Sequence, residues 1–173
     1  MHSRWLVFPV LQLSLLGSYR WLGVKPIAGC IACKSCAKTG KCAFDDVANE
    51  FLDTAKSADG FIFGTPVHYA AASGALTSFM DRIFYVDSMA KKRTFWLKPA
   101  ATVISARRAG TTATFDQINK YFSISQMPII SSRYWNMVHG SNAEEVLQDE
   151  EGLQIMRVLG RNMAYFLKCQ EGL

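Results

Sequence analysis

The stretch GFIFGTPVHYAAASG, residues 60–74, decides how the chain is read. Gly60-Phe61-Ile62-Phe63-Gly64 is a short apolar run bounded by glycines, which predicts a buried strand. Pro66 fixes a turn behind it. Ser73 stands where a helix cap belongs, and the residues after it predict a helix to about Tyr85. The unit is therefore strand, small-residue loop, helix.

The same alternation continues outward. Ala100–Ile104 reads as a second buried strand and Thr112–Phe122 as a helix. Pro128–Tyr134 reads as a third strand. Asn142–Lys168 reads as mostly helix, with Leu153, Met156, Gly160, Met163 and Leu167 on one face. Upstream, Phe44, Val47, Ala48, Phe51, Leu52 and Ala55 fall at helical spacing. Asp45 and Asp46 stand at the N-terminal end, where acidic groups are favoured. Short apolar strands separated by helices predict an α/β fold: an open parallel sheet with helices on both faces. Right-handed crossovers bring the strand-to-helix loops to one edge of the sheet, where such folds bind ligands. Those loops are 64–74 and 105–112.

Composition bounds the rest. The 173 residues suit a single domain, and a hydrophobic fraction of 50% excludes a disordered chain. Nineteen Lys and Arg against 14 Asp and Glu give a net charge of +5. That suits an anionic ligand, but there is no aromatic-interleaved basic stripe of a nucleic-acid binder. The apolar lead-in Trp5–Leu16 is too short and interrupted to span a bilayer. Pro9, Gln12 and Ser14 break it, and no small-residue cleavage site follows, so it reads as a buried strand or irregular segment rather than a signal peptide. Residues 1–21 are atypical of the predicted domain.

Four of the five cysteines, Cys30, Cys33, Cys36 and Cys42, crowd into a Gly- and Cys-rich loop over 27–42. Crowding of this kind points to reduced thiols or metal ligands in a cytoplasm rather than a secreted disulfide scaffold. The spacing C-x2-C-x2-C-x5-C suits an iron–sulfur cluster, although it lacks the x3 spacing and trailing proline of ferredoxins. A structural zinc ion and no metal at all are the alternatives. Lys34, Lys38 and Lys41 would offset thiolate charge.

Three loops carry the remaining chemistry. In Thr65–Gly74 the small residues allow a flat ring to approach the backbone, and His68 or Tyr69 could flank it; the same composition also suits an ordinary tight turn. Ser105-Ala106-Arg107-Arg108-Ala109-Gly110-Thr111-Thr112 offers guanidinium groups before a helix N-terminus, an anion or carbonyl site, or else a solvated basic loop. Trp135–Gly140 could close a pocket or build an interface. No nucleophile elbow or phosphate-binding Walker loop appears, and no catalytic side chain is assigned.

Taken in order, TPVHYAAASGALTSFMDR (65–82), SARRAGTT (105–112) and YWNMVHG (134–140) resemble the NADPH-dependent FMN reductase-like branch of the flavodoxin-like proteins. The cysteine run resembles that of its iron–sulfur flavoproteins. The resemblance covers roughly residues 22–168. It implies an oxidoreductase that passes electrons from NAD(P)H through bound FMN to a small-molecule acceptor. Thr65, Pro66, Val67, His68, Tyr69, Ser73 and Gly74 would line the flavin ring. Ser105, Arg107, Arg108 and Gly110 would close its other side. A 4Fe-4S cluster on the four cysteines, and a homodimer or homotetramer without nucleic acid or membrane, go with the resemblance. Asp81 and Arg82 would be structural or at a subunit contact. Members of the family begin with a strand and a Gly-Ser-Pro-Arg type loop for the FMN phosphate. Here Gly17-Ser18-Tyr19-Arg20 is only a faint echo. Residues 11–29 look more like the family's second strand, so the first strand and helix are expected to be missing or divergent. That expectation supports a second reading, a cysteine-loop electron carrier or redox sensor with a degenerate flavin site.

Overall fold

A computed structural model describes residues 19–171. The lead-in Trp5–Leu16 lies outside them. Ten elements follow in order: α1 (Cys36–Thr39), α2 (Val47–Ala55), β1 (Phe61–His68), β2 (Ala71–Ala72), α3 (Gly74–Met89), β3 (Ala100–Ala106), α4 (Thr111–Ile124), β4 (Met137–His139), α5 (Ala143–Val146) and α6 (Glu150–Glu171). The sheet order is β2-β1-β3-β4. β1, β3 and β4 run parallel, and β2 turns back antiparallel on β1. This is the open parallel α/β sheet expected from the sequence.

Alternation along β1 explains which face is covered. Phe61, Phe63 and Thr65 are buried while Ile62 and Gly64 are exposed, so the strand is buried on one face rather than two. The covered face packs Phe61 and Phe63 against Phe51, Phe84, Phe95 and Phe122, with ring centroids 5.2–6.3 Å apart in tilted and edge-on pairs. α2, α3, α4 and the segment between α3 and β3 supply that layer. On the opposite face a smaller cluster joins Ala101 and Ile130 to Leu159 and Met163 of α6. The helices thus lie on both faces.

Helix starts follow the capping residues. Asp46 caps α2 by accepting from Ala48 N at 3.1 Å, and Ser73 caps α3 by accepting from Leu76 N at 3.4 Å. α3 continues past Tyr85 to Met89. The one-turn α1 lies inside the cysteine loop.

Several sequence expectations are corrected or refined. Pro128–Tyr134 is not a strand: it makes one isolated bridge, Ala100 to Ile129, and the third parallel strand is Met137–His139. α6 draws the intervening chain away from the ladder. Asn162 Nδ2 donates to Ser131 O at 2.8 Å, and Ser132 Oγ donates to Ile155 O at 2.6 Å. Asn142–Lys168 is two helices, because Asp149 accepts from His139 N and Gly152 N and starts α6 afresh. The fully buried residues of α6 are Gly152, Ile155, Leu159, Met163 and Ala164; of the expected face Met163 is among them and Leu167 packs partly buried on the same cluster, while Leu153, Met156 and Gly160 are not in it. Tyr19–Gly29, the described part of the expected second strand, forms neither strand nor helix. It is held by packing of Leu22 and Ile27 on the core and by an Arg20–Glu50 ion pair at 3.3 Å.

Candidate functional site

Parallel pairing sets the first site. Pro66 of β1 pairs with Ser105 of β3, and Ala106 pairs with His139 of β4. The three strands therefore release their loops side by side at the carboxyl edge of the sheet. The loop after β1 is a hairpin with Tyr69 and Ala70 at its tip, closed by the His68–Ala71 pair. Both tip residues are left-handed, with φ of 50° for Tyr69 and 58° for Ala70. A two-residue hairpin turn of this type normally takes Asn-Gly, and a residue with a Cβ is strained there by roughly 1–2 kcal/mol. The strain is held in place from behind. Ser73 N donates to Thr65 Oγ1 at 3.0 Å, Thr65 Oγ1 donates to Pro66 O at 2.9 Å, and Ala72 N donates to Gln117 Oε1 of α4 at 2.9 Å. Tyr69 is left fully exposed.

The loop after β3 comes up against this tip. Gly110 has φ +94°, and a Cβ there would lie 2.8 Å from Ala70 Cα and 3.0 Å from Val67 Cγ1. Glycine is required by both conformation and space. Between the loops opens a cavity of about 540 Å³, lined by Val67, Tyr69, Ala70, Ala106, Arg107, Arg108 and Ala109. Its size falls in the range of small-molecule sites. Arg107 and Arg108 are exposed on its wall, and α4 begins beyond it without a side-chain cap.

The structure sorts the expected ring-binding residues. Val67, Tyr69, Arg107 and Arg108 line the cavity, and Gly110 sets the approach of its two walls. Thr65 and Ser73 spend their hydroxyls on the hairpin and the helix cap. Pro66 and His68 at the end of β1, Gly74 at the start of α3 and Ser105 in β3 flank the cavity's loops but are not in the lining. Ala70 and Gln117 had no such role in the sequence reading. Tyr134 and Trp135 pack against each other as a tilted pair at 4.7 Å, half exposed, and also lie outside the lining. Asp81 accepts from Tyr121 Oη, tying α3 to α4; burial, followed by that bond, pushes the Tyr121 phenol up. A strained aromatic tip, guanidinium donors and a close-packed glycine fit a flat, heteroatom-edged ring such as that of FMN.

The second site is the cysteine loop. Cys30, Cys33, Cys36 and Cys42 all line one small cavity of about 20 Å³, together with Lys34, Phe44, Arg82 and Tyr85. Ala32 and Lys34, on either side of Cys33, are left-handed at φ 52° and 58°, and fold the chain around that space. Cys36 is buried, Cys42 is half-buried, and Cys30 and Cys33 are exposed at the rim. Burial pushes the Cys36 thiol up, its backbone hydrogen bond lowers it, and Cys33, Cys30 and Cys42 push it up further. Four thiols on one cavity are a donor set of the kind an iron–sulfur centre takes. Among the described residues, no three His, Cys, Asp or Glu side chains are arranged to hold a single metal ion.

Comparison with known proteins places these features. Residues 20–142 match the model of the NADPH-dependent FMN reductase family. An iron-sulfur flavoprotein of Methanocaldococcus jannaschii is 31% identical, over 85% of this chain and 78% of its own length. A second from that organism is 28% identical over 86% and 80%, and one from Methanosarcina thermophila is 24% identical over 82% and 73%. The solved structure of the Trp repressor binding protein from Bacillus subtilis superposes with a TM-score of 0.58 at 18% identity. That match covers 72% of this chain and 86% of the other, and it shows a common fold.

Proposed function

This chain belongs to the NADPH-dependent FMN reductase family, and from that premise we propose an FMN-dependent oxidoreductase that carries electrons from NAD(P)H to a small acceptor. The observation that carries the reading is the cavity between the Tyr69–Ala70 tip and Arg107–Arg108, closed to the width of a Gly110 backbone.

Bound FMN would supply the redox step itself. The chain's residues bind and orient. Tyr69 presents an aromatic face to one side of a flat ring. Arg107 and Arg108 offer charged donors to its carbonyl edge or to an anionic group. No side-chain acid or base is needed, which agrees with a site that lacks a triad. A homodimer or homotetramer belongs to the same reading, supported by the exposed Tyr134 and Trp135.

The test is FMN affinity of the full chain. Arg107→Ala with Arg108→Ala is expected to weaken binding by at least about tenfold, at more than 1 kcal/mol for lost charge-assisted bonds. Unchanged affinity would remove the loop after β3 from the site.

A second redox group is favoured by one observation, the convergence of four thiols on a single cavity. In this reading Cys30, Cys33, Cys36 and Cys42 would hold an iron–sulfur cluster, which would supply one-electron chemistry. Iron and sulfide analysis of anaerobically purified protein tests it, and absence of both would count against it.

A further inference from the structure

The cysteine loop has no sheet ladder to fix it. What fixes it is Arg82, in the middle of α3, whose side chain is wholly buried. A buried guanidinium must have its N–H groups paired. Nε donates to Cys42 Sγ at 3.1 Å. Nη1 donates to Ala28 O at 3.4 Å and Asp46 Oδ2 at 2.7 Å. Nη2 donates to Phe44 O at 3.0 Å and Asp46 Oδ1 at 2.6 Å. The guanidinium also lies 5.1 Å from the centroid of the Phe44 ring. Asn49 adds a second clasp at the same point: it accepts from Cys42 N at 2.8 Å and donates to Cys42 O at 3.0 Å.

Two features of this pattern matter. Its acceptors, at positions 28, 42, 44 and 46, lie on both sides of the cysteine run, so one side chain closes the loop at its two ends. And the group is rooted on α3, the helix capped by Ser73 at the end of the first-site hairpin. Arg82 stands nine positions after Ser73 along α3, about 13 Å along the axis.

We propose that Arg82 is the positioning residue of the cysteine site: it shuts the loop before any metal arrives, aims Cys42 Sγ into the shared cavity, and fixes that cavity at a set distance from the hairpin. The inference rests on the reading of the cysteine loop as a redox site. Lysine cannot replace it, because an ammonium has no planar fork to span Asp46, Phe44 and Cys42 together.

The experiment is site-resolved alkylation of the reduced, metal-free full chain with iodoacetamide, read by peptide mass spectrometry in the native protein, Arg82→Lys and Asp46→Asn. In Arg82→Lys, which keeps a positive charge near the thiol, Cys42 is expected to react at least about tenfold faster than in the native chain, because the opened loop exposes its half-buried Sγ. Cys169, exposed on α6, keeps its native rate. Given iron and sulfide, the variant is expected to develop less visible absorption per chain than the native protein. An unchanged Cys42 rate overturns the proposal. If Arg82→Lys shows no cooperative unfolding transition, Asp46→Asn decides by the same criteria, since it leaves the guanidinium in place without its tether. A native chain that takes up no iron, yet protects Cys42 relative to the variant, removes the cluster reading and leaves the positioning role standing.

Discussion

The two candidate redox sites are held by opposite means. The cavity at the sheet edge is held by backbone: a parallel register, a two-residue hairpin, and a glycine seated against Ala70. The cysteine loop is held by side chains, with Arg82 and Asn49 clasping otherwise irregular chain. Backbone-held sites leave a pattern in the sequence, because strands, turns and glycines have local signatures. A side-chain clasp joins residues 40 positions apart, as Arg82 joins Cys42, and leaves no local signature.

The contrast can be broken at several points. The largest effect is expected at Gly110. Gly110→Ala forces a Cβ into backbone 2.8 Å away at φ +94°. A backbone neighbour cannot swing aside, so the loops must part. FMN affinity is expected to fall by at least about tenfold and stability by about 1–3 kcal/mol, read by fluorescence titration and thermal unfolding. Native-like values for both would show that the two loops do not meet this tightly.

Next is the clasp of the other site. Hydrogen bonds from Arg82 hold the Asp46 carboxyl below the usual carboxylate range, against the opposing effect of burial. A lowered folded-state value means that the ionised form stabilises the fold above the ordinary value of 3.8, and that this is lost as pH falls through the lower, folded-state value. Native protein should therefore exceed Asp46→Asn in melting temperature by a constant margin from neutral pH down to about 5, and the gap should close in stronger acid. A gap that widens on acidification would contradict the pair as drawn.

The smallest effect tests the strain at the hairpin tip. Ala70→Gly relieves a left-handed alanine and is expected to stabilise by up to about 1 kcal/mol, or roughly 2–4 °C in melting temperature. A lower melting temperature would mean that the Ala70 side chain contributes packing that outweighs its strain.

Much of the fold was legible in the sequence. The glycine-bounded run before Thr65, Ser73 as a cap, Asp46 at the start of α2 and the apolar run from Ala100 each carry their signal locally. What was not legible depended on distant partners. Ile129 and Ile130 look like strand residues, but α6 takes the chain at Ser131 and Ser132 away from the ladder. Asp149 breaks a continuous helical pattern by turning its carboxylate onto His139 and Gly152. At the first site the small residues of the loop were visible, but not that Tyr69 and Ala70 sit left-handed. At the second, the cysteines were plain and Arg82 was expected to be structural or at a subunit contact, but its bond to Cys42 was not legible. The local signal was a charge amid Phe79, Met80, Ile83, Phe84 and Val86, where only a fully paired group is tolerated.

The most direct test of the central claim is the visible absorption spectrum of the anaerobically purified full chain, before and after FMN is added and then NADPH. The account predicts two flavin bands that remain with the protein through gel filtration and bleach on NADPH. A chain that retains no FMN, and whose spectrum NADPH does not change, would contradict it.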